Sequence, residues 1–165
     1  LAMSVDGLTL YVGDTNNNAI RAINMVTVQV TTLAGSGVAS SIDGIGVAAT
    51  FNLPHGIAVT PNGLGVVVAE LTGHKMRYID IATAAVSLLG GSGAAGDADG
   101  IGASAILTYP NDVIVLPDSK TAVFVEYGTN RVRTVDLQTN QFTTIAGSTG
   151  TATAVSDGVG TFASF

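Results

Sequence analysis

The stretch Leu33–Gly46, LAGSGVASSIDGIG, recurs 56 residues later as Leu89–Gly102, LGGSGAAGDADGIG. A third version spans Ile145–Gly160, IAGSTGTATAVSDGVG, and carries two extra residues before its final Asp157–Gly160. The same shift of 56 aligns many positions outside these stretches, including arginines and turn residues. Coincidences this frequent at one spacing exceed what shared composition produces. The chain therefore consists of three tandem copies of one repeat.

The composition is that of a lightly charged globular protein. Of the 165 residues, 47% are hydrophobic and only 11% are charged, which argues against a disordered chain. The net charge of −6 and the scattering of six basic residues argue against nucleic-acid binding. Because cysteine is absent, disulfides and thiolate metal sites are excluded. No apolar run approaches the roughly 18 residues of a membrane helix, so we predict no membrane insertion.

Each copy divides into four segments with the character of β-strands. In the second copy these are Gly56–Val59, Gly65–Ala69, Lys75–Asp80 and Ala85–Leu89. The third alternates apolar and polar residues with period two, which is typical of a strand with one buried face. The turn signal Pro61-Asn62-Gly63 follows the first. No amphipathic helix is visible.

A single four-stranded sheet cannot bury both of its faces, so it must stack on its neighbours. Four short strands per repeat, arrayed radially, predict a β-propeller blade. A β-helix has much shorter repeats, and an immunoglobulin-like sandwich does not repeat internally at this length. We predict an all-β chain of three four-stranded antiparallel blades, which together form part of one propeller domain. The predicted ranges are 1–51, lacking its leading linker, then 52–107 and 108–165. Since Phe165 corresponds to Phe51 and Leu1 to Ile57, we expect a longer repeat array interrupted at that linker.

The motifs resemble those of the NHL-repeat family. The first copy carries Asp14–Arg21, DTNNNAIR, and then Val30–Gly37, VTTLAGSG, while Phe51–Gly56, FNLPHG, matches the family's linker between blades. The second copy departs from the pattern at Glu70–Arg77, and the third replaces the linker glycine by Asp112. The resemblance implies a six-bladed propeller, so three blades would be half a ring. The remaining blades would come from further chain or from a second copy of this one.

Three repeated positions carry charge. They are the acids Asp14, Glu70 and Glu126, the arginines Arg21, Arg77 and Arg133, and the linker acids Asp43, Asp99 and Asp157. The first set could line a calcium-binding ring and the second an anion-binding band. Because these positions recur in every copy, we interpret all three sets as structural, with each arginine pairing with an acid of its own or the adjacent blade.

The remaining candidates concern metal binding. Asp97 begins a stretch that is similar to an EF-hand loop, but Thr108 stands where the bidentate glutamate belongs, so we predict a tight turn. Some proteins of NHL-like fold are lyases whose zinc is held by histidines. Zinc needs three or four ligands, whereas this chain has only His55 and His74. A lactonase-like calcium site would need inward Glu, Asn and Asp side chains from several blades, to which Asn52, Asn111 and Asp112 could contribute. The metal-ligand candidates are therefore His55, Asn111 and Asp112. We predict no cofactor and no catalytic residue, and leave calcium or zinc open.

The leading functional hypothesis is a non-catalytic propeller module, a scaffold that binds a protein, peptide or glycan or builds an extracellular assembly. The low charge and the many Ser, Thr, Ala and Gly residues suggest a secreted or cell-surface glycoprotein that carries O-linked glycans. No Asn-X-Ser/Thr sequon occurs, so N-glycosylation is not predicted. The alternative is a metal-dependent enzyme, lyase-like or lactonase-like, whose other ligands lie outside this segment. RNA binding, known for some NHL proteins, requires a basic face that the acidic chain lacks.

Overall fold

The computed structural model describes residues 1–148 and 155–165. Its strands form three antiparallel sheets, one for each copy of the repeat, and the described residues contain no α-helix. The first sheet, here the first blade, consists of β1 (Ala2–Met3), β2 (Thr9–Asp14), β3 (Ala19–Asn24) and β4 (Val30–Ala34) in that order. Consecutive strands are paired by hairpins, as the four segments per copy predict.

The second and third blades have the same order with one additional strand. The second blade contains β5 (Gly44–Ile45), β6 (Pro54–Val59), β7 (Gly65–Glu70), β8 (Lys75–Asp80) and β9 (Ala85–Gly90). The third contains β10 (Gly100–Ile101), β11 (Pro110–Val115), β12 (Thr121–Glu126), β13 (Arg131–Asp136) and β14 (Gln141–Ala146). Short 3-10 turns occupy Thr15–Asn17, Gly46–Ala48, Gly102–Ser104 and Gly160–Phe162. The prediction of an all-β chain of antiparallel blades is confirmed.

The additional strand in each case comes from the linker that leaves the preceding copy. Gly44 lies opposite Val86, and Gly100 lies opposite Phe142, so each linker pairs with the outermost strand of the next blade. The second and third blades therefore have five strands rather than the predicted four. An outer strand presents unpaired N–H and C=O groups, and two linker residues satisfy some of them while tying two copies together.

The core consists of two apolar layers, one between each pair of neighbouring blades. Tyr11 and Ile20 of the first blade pack with Val66 and Val68 of the second, together with Phe51 from the linker. On the other side of the second blade, a further set packs against the third blade: Val67, Ala69, Met76 and Leu89 against Leu107, Ala122, Phe124, Val135 and Phe142. Because both of its faces are covered, β7 is buried along its whole length.

One end of the three blades collects the linkers and the loops between the second and third strands. The N–H of Leu71 donates to the carbonyl of Leu53 at 2.9 Å, and that of Tyr127 donates to the carbonyl of Tyr109 at 3.0 Å. We call this end the upper rim; it comprises residues 15–18, 53–56, 71–74, 109–112 and 127–130. Leu53 and Tyr109 have φ angles of 52° and 53°, in the left-handed region that non-glycine residues rarely adopt.

Candidate functional site

The repeated charges of the second blade meet in one cluster. Arg77 is fully buried; its Nη1 donates to Glu70 Oε1 at 2.8 Å and its Nη2 to Asp43 Oδ1 at 2.5 Å. Glu70 belongs to the same blade, whereas Asp43 comes from the linker of the preceding copy. Ser41 in that linker donates its hydroxyl to the other oxygen of Glu70 at 2.5 Å. Burial raises the pKa of Glu70, against the effect of the neighbouring Arg77 guanidinium.

The third blade repeats this arrangement one copy later. Arg133 is fully buried and donates to Glu126 at 3.0 Å and to Asp99 at 2.9 Å. Burial raises the pKa of Glu126, although Thr129 and Arg133 donate hydrogen bonds to it. Burial alone would raise the pKa of Asp99 too, but hydrogen bonds from Thr144 and the Arg133 charge lower it overall. In both blades a buried arginine thus bonds one acid of its own blade and one acid of the preceding linker, an arrangement that joins consecutive copies.

The other repeated charges lie apart from these clusters. Arg21 and Asp14 of the first blade are 3.8 Å apart and remain partly exposed. Asp157 lies exposed in the last described segment. Asp97 is paired with Arg131 of the third blade, so its carboxylate serves an interblade contact in place of an EF-hand loop.

The upper rim between the second and third blades carries a cluster that the sequence analysis did not single out. Tyr127 is 75% exposed and Tyr109 is 38% exposed, beside the half-buried His74. The His74 and Tyr109 rings lie 4.8 Å apart at 53°, and Tyr109 N–H donates to His74 Nδ1 at 3.2 Å. Burial lowers the pKa of His74, which keeps Nδ1 free to accept this bond. We call His74, Tyr109 and Tyr127 the rim cluster.

The three copies themselves held a signal for the rim cluster. Tyr109 and Tyr127 stand where the second copy has Leu53 and Leu71, and His74 stands where the other copies have asparagine. Positions that depart from the repeat are not required by the common scaffold, so a comparison of the copies could have singled them out. The long-range approach of His74 to Tyr109, 35 positions apart, is visible only in the fold.

The predicted metal-ligand candidates lie close together on the inner strands. His55 Nδ1 is 3.1 Å from the carbonyl oxygen of Asn111, and Asp112 follows on the same strand with its carboxylate bonded to the N–H of Val113 at 2.9 Å. Across residues 1–148 and 155–165, no three His, Asp or Glu side chains approach closely enough to hold a metal ion. That the chain binds no cofactor stays a prediction.

The opposite end of the same two blades carries an uncharged groove of about 380 Å³. Its polar lining includes Thr60, Asn62, Ser119, Gln138 and Asn140. The backbone N–H of Asn62 donates to Ser119 Oγ at 3.0 Å, so some polar groups of the groove are hydrogen-bonded to each other within the protein. No helix among the described residues is long and apolar enough to cross a membrane.

In sequence, this chain is similar to NHL repeat-containing protein 2 of Bos taurus, with 38% identity over 80 residues. The similarity covers 48% of this chain and 11% of that relative, so the chain corresponds to a small part of it. No protein-family model matches the chain.

In structure, the chain is similar to a Bacteroides thetaiotaomicron protein of unknown function, with a TM-score of 0.70, 24% identity, and coverage of 79% of this chain and 32% of that one. An auxiliary nutrient binding protein from Bacteroides ovatus gives a TM-score of 0.65 at 20% identity, covering 88% and 35%. Virginiamycin B lyase from Staphylococcus aureus gives 0.58 at 15%, covering 87% and 39%. The resemblance to NHL-repeat proteins is confirmed in sequence over about half of the chain, and the three sheets have the fold of β-propeller blades.

Proposed function

We propose that the chain is a non-catalytic binding module that captures a peptide segment of a protein, or a glycan, at the rim cluster. The observation that carries this proposal is the exposure of two tyrosines on one junction of a chain in which aromatic residues make up only 5%. Tyrosine offers a large apolar face and a hydroxyl at low entropic cost, which is why it dominates recognition surfaces.

The rim cluster is also held in place before a ligand arrives. Tyr109 is fixed by its N–H bond to His74, by the ring contact with the same residue and by its left-handed backbone. Leu53 adopts the same conformation at the same position of the second copy, so the repeat itself fixes the backbone that carries Tyr109. Preorganised aromatic side chains lose little freedom on binding and therefore favour affinity.

The structural similarities agree with a binding role. One neighbour of the same fold is an auxiliary nutrient binding protein. Fold alone does not assign function, so the proposal depends on the rim cluster itself.

The test uses the 165-residue chain against two probes, an immobilised glycan array and a random peptide display library. We expect one probe to yield a reproducible ligand, and Tyr127→Ala to weaken its binding at least about tenfold, as for a central aromatic contact. Tyr109→Leu, which restores the residue of the second copy, should weaken it as well. Gln138→Ala, at the opposite end, is the control and should bind normally. Enrichment from neither probe, or equal binding by Tyr127→Ala, would refute the proposal.

A further inference from the structure

The groove between the second and third blades, at the end opposite the rim cluster, has the features of a small-molecule site. Its volume of about 380 Å³ lies within the range of about 300–1,000 Å³ that such pockets have in proteins. The described residues that line it include no Asp, Glu, Lys, Arg or His. Its walls come from two blades whose apolar faces are packed on one another, so its shape does not depend on an uncovered face.

The groove carries polar side chains that the corresponding junction between the first and second blades lacks. A shift of 56 residues maps each lining residue onto its counterpart at that other junction. Three polar residues of the groove replace small residues without a polar side chain: Tyr78 in place of Ala22, Ser119 in place of Gly63, and Asn140 in place of Ala84. Since the copies share one scaffold without these exchanges, the exchanges indicate a property of this junction alone.

Asn62 keeps the groove neutral at a position where the other copies carry an acid, Asp6 in the first and Asp118 in the third. Asn62 Oδ1 accepts bonds from the Thr60 hydroxyl at 2.7 Å and from the Leu64 N–H at 3.1 Å. Asp6 accepts the two equivalent bonds in the first blade at 2.6 Å and 3.0 Å. Either residue therefore holds the turn, and the exchange removes a charge from the groove.

Tyr78 supplies the aromatic surface of the groove. A Cβ atom on Gly65 would overlap the outer end of the Tyr78 ring, so the ring lies directly on the Gly65 backbone. The other copies have Thr9 and Thr121 in place of this glycine, and their sheets form without it. The Tyr78 hydroxyl forms no hydrogen bond with any described residue. Burial, and then the Asp80 charge, raises the pKa of Tyr78, so its hydroxyl stays protonated and can donate.

Ser119 occupies a backbone conformation in which the other copies have glycine. Its φ angle is 56°, and Gly7 and Gly63 at the same position have φ angles of 72° and 73°. This conformation is unfavourable for a residue with a side chain but not for glycine. Ser119 Oγ accepts the backbone N–H of Asn62 at 3.0 Å, which ties the two walls of the groove together and leaves the serine O–H available to donate. The serine thus places a hydroxyl in the groove where the backbone alone favours glycine.

The polar groups of the groove can both donate and accept hydrogen bonds. The side-chain amide of Asn140 and the hydroxyl of Ser87, like that of Tyr78, form no hydrogen bond with any described residue. Asparagine tolerates the left-handed backbone at position 140 better than alanine does, so Tyr78 and Ser119 are the exchanges that the backbone does not explain. An aromatic ring and leucine side chains beside neutral donors and acceptors match a neutral ligand with several hydroxyl groups and an apolar C–H face.

We propose that the groove binds a single neutral sugar ring. The C–H face of the sugar lies on the Tyr78 ring, and its hydroxyl groups bond to Ser119 and to the Asn140 amide. A charged ligand is disfavoured, because its charge would enter the groove without a partner. The groove lies at the opposite end of the junction from the rim cluster, and neither site requires the other.

Titration of the 165-residue chain with free methyl glycosides of neutral hexoses, pentoses and N-acetylhexosamines, followed by NMR, tests the proposal. We expect at least one to bind with a dissociation constant in the millimolar range. Tyr78→Thr, which introduces the residue of the third copy, should weaken its binding at least about tenfold, as loss of a central aromatic contact does. Ser119→Gly, which introduces the residue of both other copies, should weaken it about threefold through the loss of one hydrogen bond. Thr134→Ala, the corresponding position of the third blade outside the groove, is the matched control and should bind normally.

An open-chain hexitol, which has the hydroxyl groups of a sugar without the ring face, should bind at least about tenfold more weakly than the sugar. Circular dichroism shows whether each variant is folded, and if Tyr78→Thr unfolds, Ser119→Gly decides. The proposal is overturned if no glycoside binds, if the folded groove variants bind as the wild type does, or if the hexitol binds equally well. It is also overturned if Tyr127→Ala abolishes binding while the groove variants retain it, which would place the sugar at the rim cluster.

Discussion

Arg77 and Asp43 belong to different copies of the repeat, and Nη2 of the arginine lies 2.5 Å from a carboxylate oxygen of the aspartate. The arginine is fully buried between two blades, while the aspartate is held by the linker that also supplies a strand to the second blade. This ion pair therefore connects a central strand of the second blade to the linker that leaves the first copy. The same relationship links Arg133 and Asp99.

Removing the linker carboxylate should loosen the second blade from the first. We expect Asp43→Asn to lower the free energy of unfolding by about 1–2 kcal/mol, because the charge-assisted bond to buried Arg77 is weakened while Glu70 still compensates it. Urea unfolding measures the change. Asp112→Asn is the control, because this exposed acid forms no ion pair with any described residue, and an equal effect of both substitutions would contradict the assignment.

Glu70, the acid within the blade, should contribute more to the free energy of unfolding than the linker acid Asp43. Glu70→Ala leaves the buried Arg77 with one partly exposed partner, so we expect a loss of about 3–5 kcal/mol, typical of a buried pair that loses one member. The corresponding change in the first blade, Asp14→Ala, should cost less than about 1 kcal/mol because the Asp14–Arg21 pair is long and partly exposed. Comparable losses from both substitutions in urea unfolding would refute this ranking.

Gly56 is required by the close approach of two inner strands. A Cβ atom there would lie 2.5 Å from the Asn111 carbonyl oxygen and 2.6 Å from Asp112 Cα, so backbone must move. We expect Gly56→Ala to destabilise the fold by about 1–3 kcal/mol, as overpacking does. Asp112→Ala, at the same position of the third copy, should leave the thermal midpoint nearly unchanged. A neutral Gly56→Ala variant would show that the strands are not so closely packed.

The His74–Tyr109 bond should make stability depend on pH. Burial lowers the pKa of His74, and only the neutral ring can accept the Tyr109 N–H. The folded chain thus binds this proton less readily than the unfolded chain. The contribution is complete above the ordinary value of 6.5 and is lost as the pH falls below it through the lowered pKa.

Thermal unfolding between about pH 7.5 and about pH 5 measures this effect. The wild-type midpoint should fall more over this interval than that of His74→Asn, which carries the residue found in the other copies. His55→Asn, on an exposed histidine, should retain the wild-type fall. Identical pH profiles for the wild type and His74→Asn would exclude the proposed bond.

Metal removal should leave the chain unchanged. Zinc needs three or four ligands, and the described residues bring no three His, Asp or Glu side chains together, so we expect no stoichiometric zinc in the purified chain and no shift of its thermal midpoint with EDTA. Elemental analysis by mass spectrometry checks the content. One bound zinc or calcium per chain, lost on substitution of His55 or Asp112, would instead favour the metal-dependent enzyme hypothesis.

The four main strands of each blade could be predicted from the sequence because the pattern that indicates a strand lies in neighbouring residues. Lys75–Asp80, proposed as a strand from its alternating pattern, is a strand with the same bounds, and the two-residue period arises from neighbouring side chains alone. The linker strands Gly44–Ile45 and Gly100–Ile101 were not predicted. Each is a segment of two residues, one of them glycine, and is too short to show an alternating pattern. It becomes a strand only by pairing with the open edge of a sheet some 40 positions away.

The candidate site likewise has a part that the sequence predicted and a part that only the structure revealed. The recurrence of acids and arginines marked them as structural before the fold was known, although the sequence left open which acid pairs with which arginine. The rim cluster was not predicted, although its three residues depart from the other copies, because a difference between copies does not show which loops lie side by side. Its members become neighbours only when the linker into the third blade passes over the loop of the second.

The sequence by itself determined that this protein is built of repeated antiparallel blades, because a period of 56 residues and an alternation of two are properties of the chain alone. The tertiary structure decided which copy each linker serves and which side chains share a surface. Those contacts join residues 34 and 35 positions apart, Asp43 with Arg77 and His74 with Tyr109. Their formation depends on how consecutive blades stack, and the stacking follows from burying the apolar faces of the sheets against each other.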